Sequence, residues 1–240
     1  MSKRRFVGVM AAVLVVATMA GGLIASNMGF KLNYTLIGVG QATPGGPPEG
    51  GLPSVDGTNE LALPDNRQSG LNTAKDLLTD TGTGVQNVQK LLRGTNTVCT
   101  YTGAKGTPCT TNFALNAGEG YRVKAGASNV SYIVVGSDDP AIAYTFFGVA
   151  QPVPEGGNSV DGTNTYAYQY HSTAALAKDF LTETGTGVQN VQKLLRGSNT
   201  VCTYTGAKGT PCTTNFALIP GEAYRAKAGA ANVSYTPSHY

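Results

Sequence analysis

The chain has 240 residues, with 17 Lys+Arg against 14 Asp+Glu, four cysteines and no tryptophan. Lys3, Arg4 and Arg5 stand at the extreme N-terminus, so residues 27–240 hold 14 basic and 14 acidic side chains and are formally neutral. That balance excludes the basic stripe with which nucleic-acid binders contact phosphates.

The three N-terminal basic residues precede an apolar or small run from Phe6 to Ala25, and polar sequence begins at Ser26. A basic start, an apolar centre and a small-residue exit predict a signal peptide over residues 1–26, with Thr18-Met19-Ala20, Ala25 and Ser26 as cleavage candidates. An uncleaved anchor is the competing reading, since the run is just long enough to span a bilayer; its Ala- and Gly-rich second half favours cleavage. Either way the remainder is expected outside the cytoplasm, extracellular, on the cell surface or periplasmic, and free of the membrane once the leader is removed.

Met28, Phe30, Leu32, Tyr34 and Leu36 alternate with small or polar residues, the period of a half-buried strand over Met28–Ile37, and the matching strand of the second half is Tyr144–Ala150. A Gly/Pro-rich connection follows from Gly38 to Pro53. A short strand over Asn59–Leu63 leads to a helix over Thr73–Thr81, capped by Asn72 and stopped at Gly82; in the second repeat Ser172 or Thr173 caps the matching helix, which ends near Gly185. Val85–Leu92 fits either a helix or a buried strand, and strand is favoured. Two final strands, Tyr121–Lys124 and Val130–Val135, follow a loop at residues 116–119.

Between these lie Cys99 and Cys109, symmetric about Ala104 within the turn-like run 103–106; Cys202 and Cys212 stand in the same relation about Ala207. An even count in an exported chain reads as disulfides. Of three connectivities, the spacing favours Cys99–Cys109 and Cys202–Cys212, each pair facing across a hairpin. Zinc is the alternative, but Cys-x9-Cys without a nearby histidine is poor ligand spacing.

The stretch from Gln86 to Leu115 returns at Gln189 to Leu218 with the single change Thr95 to Ser198. Flanking segments match collinearly: Tyr34–Gln41 with Tyr144–Gln151, Ser54–Asn59 with Ser159–Asn164, and Ala127–Tyr132 with Ala230–Tyr235. The chain therefore reads as a leader (1–26), a first repeat (27–137), a linker (138–140) and a second repeat (141–240). The fold class expected is mainly β or α+β: two tandem homologous small domains, each of about six strands with one short helix and a cystine-stapled hairpin.

No catalytic constellation recurs. His171 and His239 lack a partner pattern for nucleophilic chemistry. Glu119 and Glu222 recur in a Gly-Glu-(Gly/Ala)-Tyr turn and read as turn carboxylates sooner than as acid–base catalysts. Asp56 and Asp161 open Asp-Gly turns and fall short of a calcium loop. Thr81-Gly82-Thr83-Gly84 follows a helix instead of opening one, unlike a phosphate loop. No metal, no cofactor and no enzymatic activity are expected. In the second repeat, Tyr166, Tyr168 and Tyr170 alternate as if on one strand face and are the best candidates for a polysaccharide-binding platform.

The mature start "SNMGFKLNY" and the segments "ALPDNRQSGLNTAKDLL", "YTGAKG" and "NFALNAGEGYRVK" resemble a group of uncharacterised secreted bacterial repeat proteins with an F-x-L-x-PGEGY-x-V signature. Here Ala117 replaces the signature proline in one copy and Ala223 the second glycine in the other. The resemblance implies a secreted repeat protein and brings no activity; the cysteine pairs are not part of the pattern. The expectation is a structural or adhesive surface protein that associates with itself, through exchange of the strand carrying Met28, Phe30, Leu32, Tyr34 and Leu36, into an extracellular filament. The alternative is a carbohydrate- or ligand-binding module.

Overall fold

The computed structural model describes residues 29–44, 53–103, 106–107, 112–198, 200–206, 209–210 and 215–239. The first half supplies β1 (Phe30–Leu36), β2 (Thr58–Ala62), β3 (Asn66–Arg67), α1 (Ala74–Thr81), β4 (Val85–Leu91), β5 (Val98–Tyr101), β6 (Gly106–Thr107), β7 (Gly120–Ala125) and β8 (Val130–Ser137). The second half supplies β9 (Tyr144–Phe146), β10 (Thr163–Ala167), α2 (Ala177–Thr184), β11 (Val188–Leu194), β12 (Val201–Tyr204), β13 (Gly209–Thr210), β14 (Ala223–Ala228) and β15 (Val233–Tyr235). The fold is mainly β. Each half builds an antiparallel five-stranded sheet of the same order, β2-β7-β4-β5-β6 and β10-β14-β11-β12-β13. Beside each lies a smaller sheet, β1-β8-β3 in the first half and β9-β15 in the second. The pairing that β3 makes with β8 shrinks in the second half to a single bridge, Ser172 with His239.

Local sequence explains these elements. In β1, Phe30, Leu32 and Tyr34 turn inward while Lys31, Asn33 and Thr35 face solvent, and all seven residues pair with β8. The ambiguous Val85–Leu92 segment is strand because its neighbours decide: β4 is flanked on both sides, by β5 and β7, and Val85, Val88 and Leu91 are buried. A helix there would leave two partners without backbone hydrogen bonds.

Each apolar core draws on one half of the chain. The first gathers Leu36, Leu61, Leu63, Leu77 and Tyr121, the second Phe146, Tyr166, Tyr168, Phe180 and Tyr224. The copies differ by compensated exchanges. Tyr166 and Tyr168 occupy the places of Leu61 and Leu63, and where the first core has Val123 and Leu71 the second has Ala226 and Ala174. Gains and losses of volume within one core keep packing density near native. The polar end of Tyr168 is also accounted for, because its hydroxyl donates to the Ala174 carbonyl at 2.9 Å. In the first copy, Arg67 Nε serves the matching Leu71 carbonyl at 2.7 Å.

Several expectations are corrected. Among the described residues the halves contain eight and seven strands where about six are expected, because β3, β6 and β13 are two-residue pieces too short to leave a periodic signature. The strand expected over Tyr144–Ala150 ends at Phe146, since the chain turns through Gly148, pressed against the Ala230–Ala231 backbone, to Ala150 at φ 63°. The hairpin pairs Thr100 with Thr107 and Tyr101 with Gly106, and repeats this as Thr203–Thr210 and Tyr204–Gly209. That register centres half a residue before Ala104 and Ala207. Cys99 and Cys202 are buried, while Cys109 and Cys212 lie outside the described residues.

The helix caps are corrected too. Thr73, not Asn72, caps α1: its hydroxyl accepts from Asp76 N, and the Asp76 carboxylate accepts from the Thr73 N–H at 2.8 Å. In the second copy neither Ser172 nor Thr173 caps α2. Leu176 holds the cap position, because Thr73 and Leu176 alike form a bridge to the segment that follows the hairpin, at Ala114 and Ala217 respectively. Asp179 still accepts from the Leu176 N–H at 3.0 Å, but leucine offers no oxygen for the reciprocal bond. Leu176 is 38 % exposed, so Leu176→Thr should complete the box and stabilise the protein by about 0.5–1 kcal/mol in denaturant titration. No gain would mean that the bridge to Ala217, and not the cap, limits this helix end.

Candidate functional site

The two halves meet where β2 and β7 approach β10 and β14, and the contacts there come in matched pairs. The Gly197 carbonyl accepts from Val55 N at 2.7 Å, from Asp56 N at 3.0 Å and from the Ser54 hydroxyl at 3.2 Å. The Gly94 carbonyl accepts from Val160 N at 2.7 Å, Asp161 N at 2.9 Å and the Ser159 hydroxyl at 3.2 Å. Gly197 N donates to Thr58 O and Gly94 N to Thr163 O, at 2.7 and 2.6 Å. Further along, Ala62 N donates to Gly221 O and Ala167 N to Gly118 O, at 2.8 and 3.0 Å. Each half thus both gives and receives the same turn, as subunits do across a two-fold axis.

The repeated motifs are what build this junction. Gly94 and Gly197 have φ of 68° and 71°, and a Cβ on either would overlap the opposing Ser159 or Ser54. Glycine answers both constraints. In Ser-Val-Asp-Gly-Thr-Asn, the serine reaches across the junction and its Oγ also accepts from Gly57 N or Gly162 N, at 3.1 and 3.2 Å. The aspartate Oδ1 accepts from Thr58 N or Thr163 N at 3.0 Å. Asn59 clamps Ile37, accepting its N–H at 2.9 Å and donating to its carbonyl at 3.1 Å; Asn164 treats Phe147 alike.

A buried ionic cluster flanks the axis on each side. Glu119 takes Arg93 Nε at 2.7 Å, Lys90 Nζ at 3.1 Å and the Tyr121 hydroxyl at 3.0 Å. Glu155, from the second repeat, reaches Lys90 and Arg93 at 3.3 and 3.6 Å. Glu222 repeats the pattern with Arg196, with Lys193 at 3.5 Å and with the Tyr224 hydroxyl at 2.9 Å. Burial works to raise both carboxyls, but Lys90 with Arg93, and Lys193 with Arg196, outweigh it and hold them below the usual glutamate range. Such carboxylates stay charged at neutral pH and bind cations; they are poor proton donors. A groove of about 300 Å³ lies beside each cluster. Consecutive residues line each one, Leu32 to Leu36 in the first and Ile142 to Phe147 in the second. Side chains alternate faces along a strand, so such a wall is the strand's free edge.

The linker is tied down instead of loose. Asp138 is buried and accepts from Tyr170 N at 2.6 Å. Asp65 accepts from Asp139 N at 3.1 Å and from Gln169 Nε2 at 3.0 Å, joining the halves. Burial, with the nearby Asp65 charge, pushes the Asp138 carboxyl up to about 6.

The tyrosines proposed as a platform do not share an exposed face. Tyr166 and Tyr168 are core residues at 0 % and 5 % exposure, and β10 ends at Ala167. Tyr170 alone is exposed, stacked on Phe30 at 4.9 Å. The alternation belongs to the core because Tyr166 and Tyr168 replace buried leucines. Phe30, Leu32, Tyr34 and Leu36 sit together on β1, paired with their own β8; Met28 lies outside the described residues. Tyr34 and Leu32 face Gly221 of the second repeat. His171 packs edge-on to Tyr170, and no group of three His, Cys, Asp or Glu that could hold a metal occurs among the described residues. The junction itself was missed: Gly94-Thr95-Asn96 reads locally as a turn, and the only sequence signal for its role is that turn and receiving motif both recur. No family model matches the chain, and neither the curated proteins nor the solved structures contain a match to it.

Two consequences can be measured. The Glu119 carboxyl is depressed, so its contribution is present above the unfolded glutamate value and is lost as pH falls through the folded one. Glu119→Ala should therefore cost about 3 kcal/mol at pH 7, leaving Lys90 and Arg93 undercompensated, and much less at pH 3. An equal cost at both pH values would show that Glu119 acts by packing alone. Asp138 has the opposite sign: its stabilisation is complete below about pH 4 and is lost as pH rises through about 6. Asp138→Asn should raise stability by about 2 kcal/mol at pH 8, with little change at pH 4; destabilisation at pH 8 would mean that the charged form holds the linker.

Proposed function

We propose that this is a secreted, non-enzymatic structural or adhesive protein of a bacterial surface, whose working unit is the locked pair of repeats. The observation that carries the reading is the fate of the recurring polar residues. Ser54, Asp56, Asn59, Lys90, Arg93 and Glu119, and their second-copy counterparts, are engaged in holding one segment of the protein to another, within a repeat or across the junction. The leader-like N-terminus and the resemblance to secreted repeat proteins support export. Cys99–Cys109 and Cys202–Cys212 disulfides, stapling the outer hairpins under oxidising conditions, belong to the same reading. So does self-association: β1 and β9 keep an unpaired edge toward the grooves among the described residues, and such edges accept further strands.

The polysaccharide-binding alternative has Tyr170 as its remaining surface aromatic, which is thin support for a stacking platform. The test is analytical ultracentrifugation with negative-stain microscopy of the oxidised, leader-free protein over a wide concentration range. Growth of elongated assemblies with concentration is the expected result. A monomer at every concentration, together with retention on a glycan array that Tyr170→Ala removes, would overturn the structural reading.

A further inference from the structure

At the centre of the junction the two-fold match is deliberately broken. Gly120 and Ala223 are counterparts in sequence and face each other across the axis: a Cβ built on Gly120 would lie under 3.0 Å from the Ala223 Cβ. The gap at Gly120 is therefore filled by the methyl of Ala223, within the small cluster that Ala223 forms with Ala62 and Ala167. The second mismatch is ionic. Glu60 accepts from Arg122 Nε at 2.9 Å and lies 3.5 Å from Arg225 Nη2 of the other repeat. The residue that corresponds to Glu60 is Thr165. One carboxylate thus serves two guanidiniums that face each other across the axis.

Both mismatches act in one direction. Pairing two second repeats would drive one Ala223 methyl into the other and bring two Arg225 side chains together with only threonines between them. Pairing two first repeats would leave a void between glycines and crowd two Glu60 carboxylates. Overlap, an uncompensated buried charge and a void each disfavour the like pair. The surface of a first repeat is made for a second repeat. The turns, small residues and charges of that surface would be met alike by the second repeat of another copy; the connection from β8 to β9, residues 138–143, is held separately, through Asp65, Gln169 and Tyr170.

We infer that the junction is a heterotypic docking surface whose partner is the complementary repeat of a second copy of this chain, with Gly120/Ala223 and Glu60/Thr165 setting the first-to-second specificity. Exchange of whole repeats through this surface reuses every junction contact, which is the low-cost route to association that domain swapping provides. Because a first repeat accepts only a second, exchange propagates head to tail, or closes as a ring of two. The inference deepens the self-association proposed above by naming its surface, in place of the β1 strand, and it rests on that reading only for its biological use.

The test is a pair of complementary full-length variants. Gly120→Ala adds a methyl where Ala223 already stands, so this chain's own repeats collide. Ala223→Gly removes the methyl and leaves its own repeats loosely packed. Across the two chains, every junction again has one methyl and one glycine. When the oxidised variants are unfolded, mixed and refolded together, the expected product is a species of twice the chain mass holding both variants in equal amounts, absent from either variant alone. The double variant Gly120→Ala/Ala223→Gly should regain within one chain the melting temperature that Gly120→Ala loses. Recovery in the double variant without any mixed species would overturn exchange while leaving the junction intact. No recovery would overturn the proposed packing at the axis, and the inference with it. A mixed species that forms no longer assemblies would support the docking surface and count against the filament role alone.

Discussion

The constraint on which this structure depends is the carbonyl of a left-handed glycine, presented by each repeat to the other. A turn that exposes its carbonyl to three donors needs a backbone that only glycine adopts freely, and it needs the opposing serine to come within contact of the glycine Cα. Gly94 with Ser159, and Gly197 with Ser54, meet both needs. Once those turns are fixed, β4 and β11 must end where they do, and the strand that follows each Ser-Val-Asp-Gly motif is set against the axis. The ionic clusters then follow from register. Lys90 and Arg93 leave the end of β4 beside Glu119, and Lys193 and Arg196 leave β11 beside Glu222.

Within the thirty duplicated residues, Lys90, Arg93 and Gly94 recur as Lys193, Arg196 and Gly197, so each copy presents the same turn and the same cations beside the junction. The flanks are free to drift where drift can be compensated inside one core, as in the exchange of Leu63 and Leu71 for Tyr168 and Ala174. At the axis drift has a different outcome: Gly120 against Ala223, and Glu60 against Thr165, turn a symmetric contact into a directional one.

The sequence carried the local features well and the junction poorly. Period-2 alternation located β1, and the Gly after each helix marked its end; in β4 the spacing of Val85, Val88 and Leu91 fits a helix as well, and its strand neighbours decide. Collinear matches run through both halves, and each half builds a five-stranded sheet of the same order. What failed was whatever depends on the partner half. Tyr166, Tyr168 and Tyr170 alternate as an exposed face would, but alternation reports which side a residue points to, and not whether that side is covered. Leu176 occupies a cap that no propensity scale would give it, because a bridge to Ala217 dictates where α2 starts. Glu119 and Glu222 looked like turn residues and are the centres of buried clusters, since their cationic partners lie some thirty positions away in sequence. Residues 138–140 looked like a linker and are held by Asp65, Gln169 and Tyr170.

The central claim is that the reciprocal turns form a buried, ordered junction equal in firmness to the sheets it joins. Native-state hydrogen exchange on the oxidised protein reads this directly at the amides of Val55, Asp56, Val160 and Asp161, and at Gly94 and Gly197. The account predicts protection at the level of the central strands β7 and β14, lost together with them in one cooperative opening. Fast exchange at these six amides while β7 and β14 remain protected would show that the repeats fold separately and that the junction does not bind them into one unit.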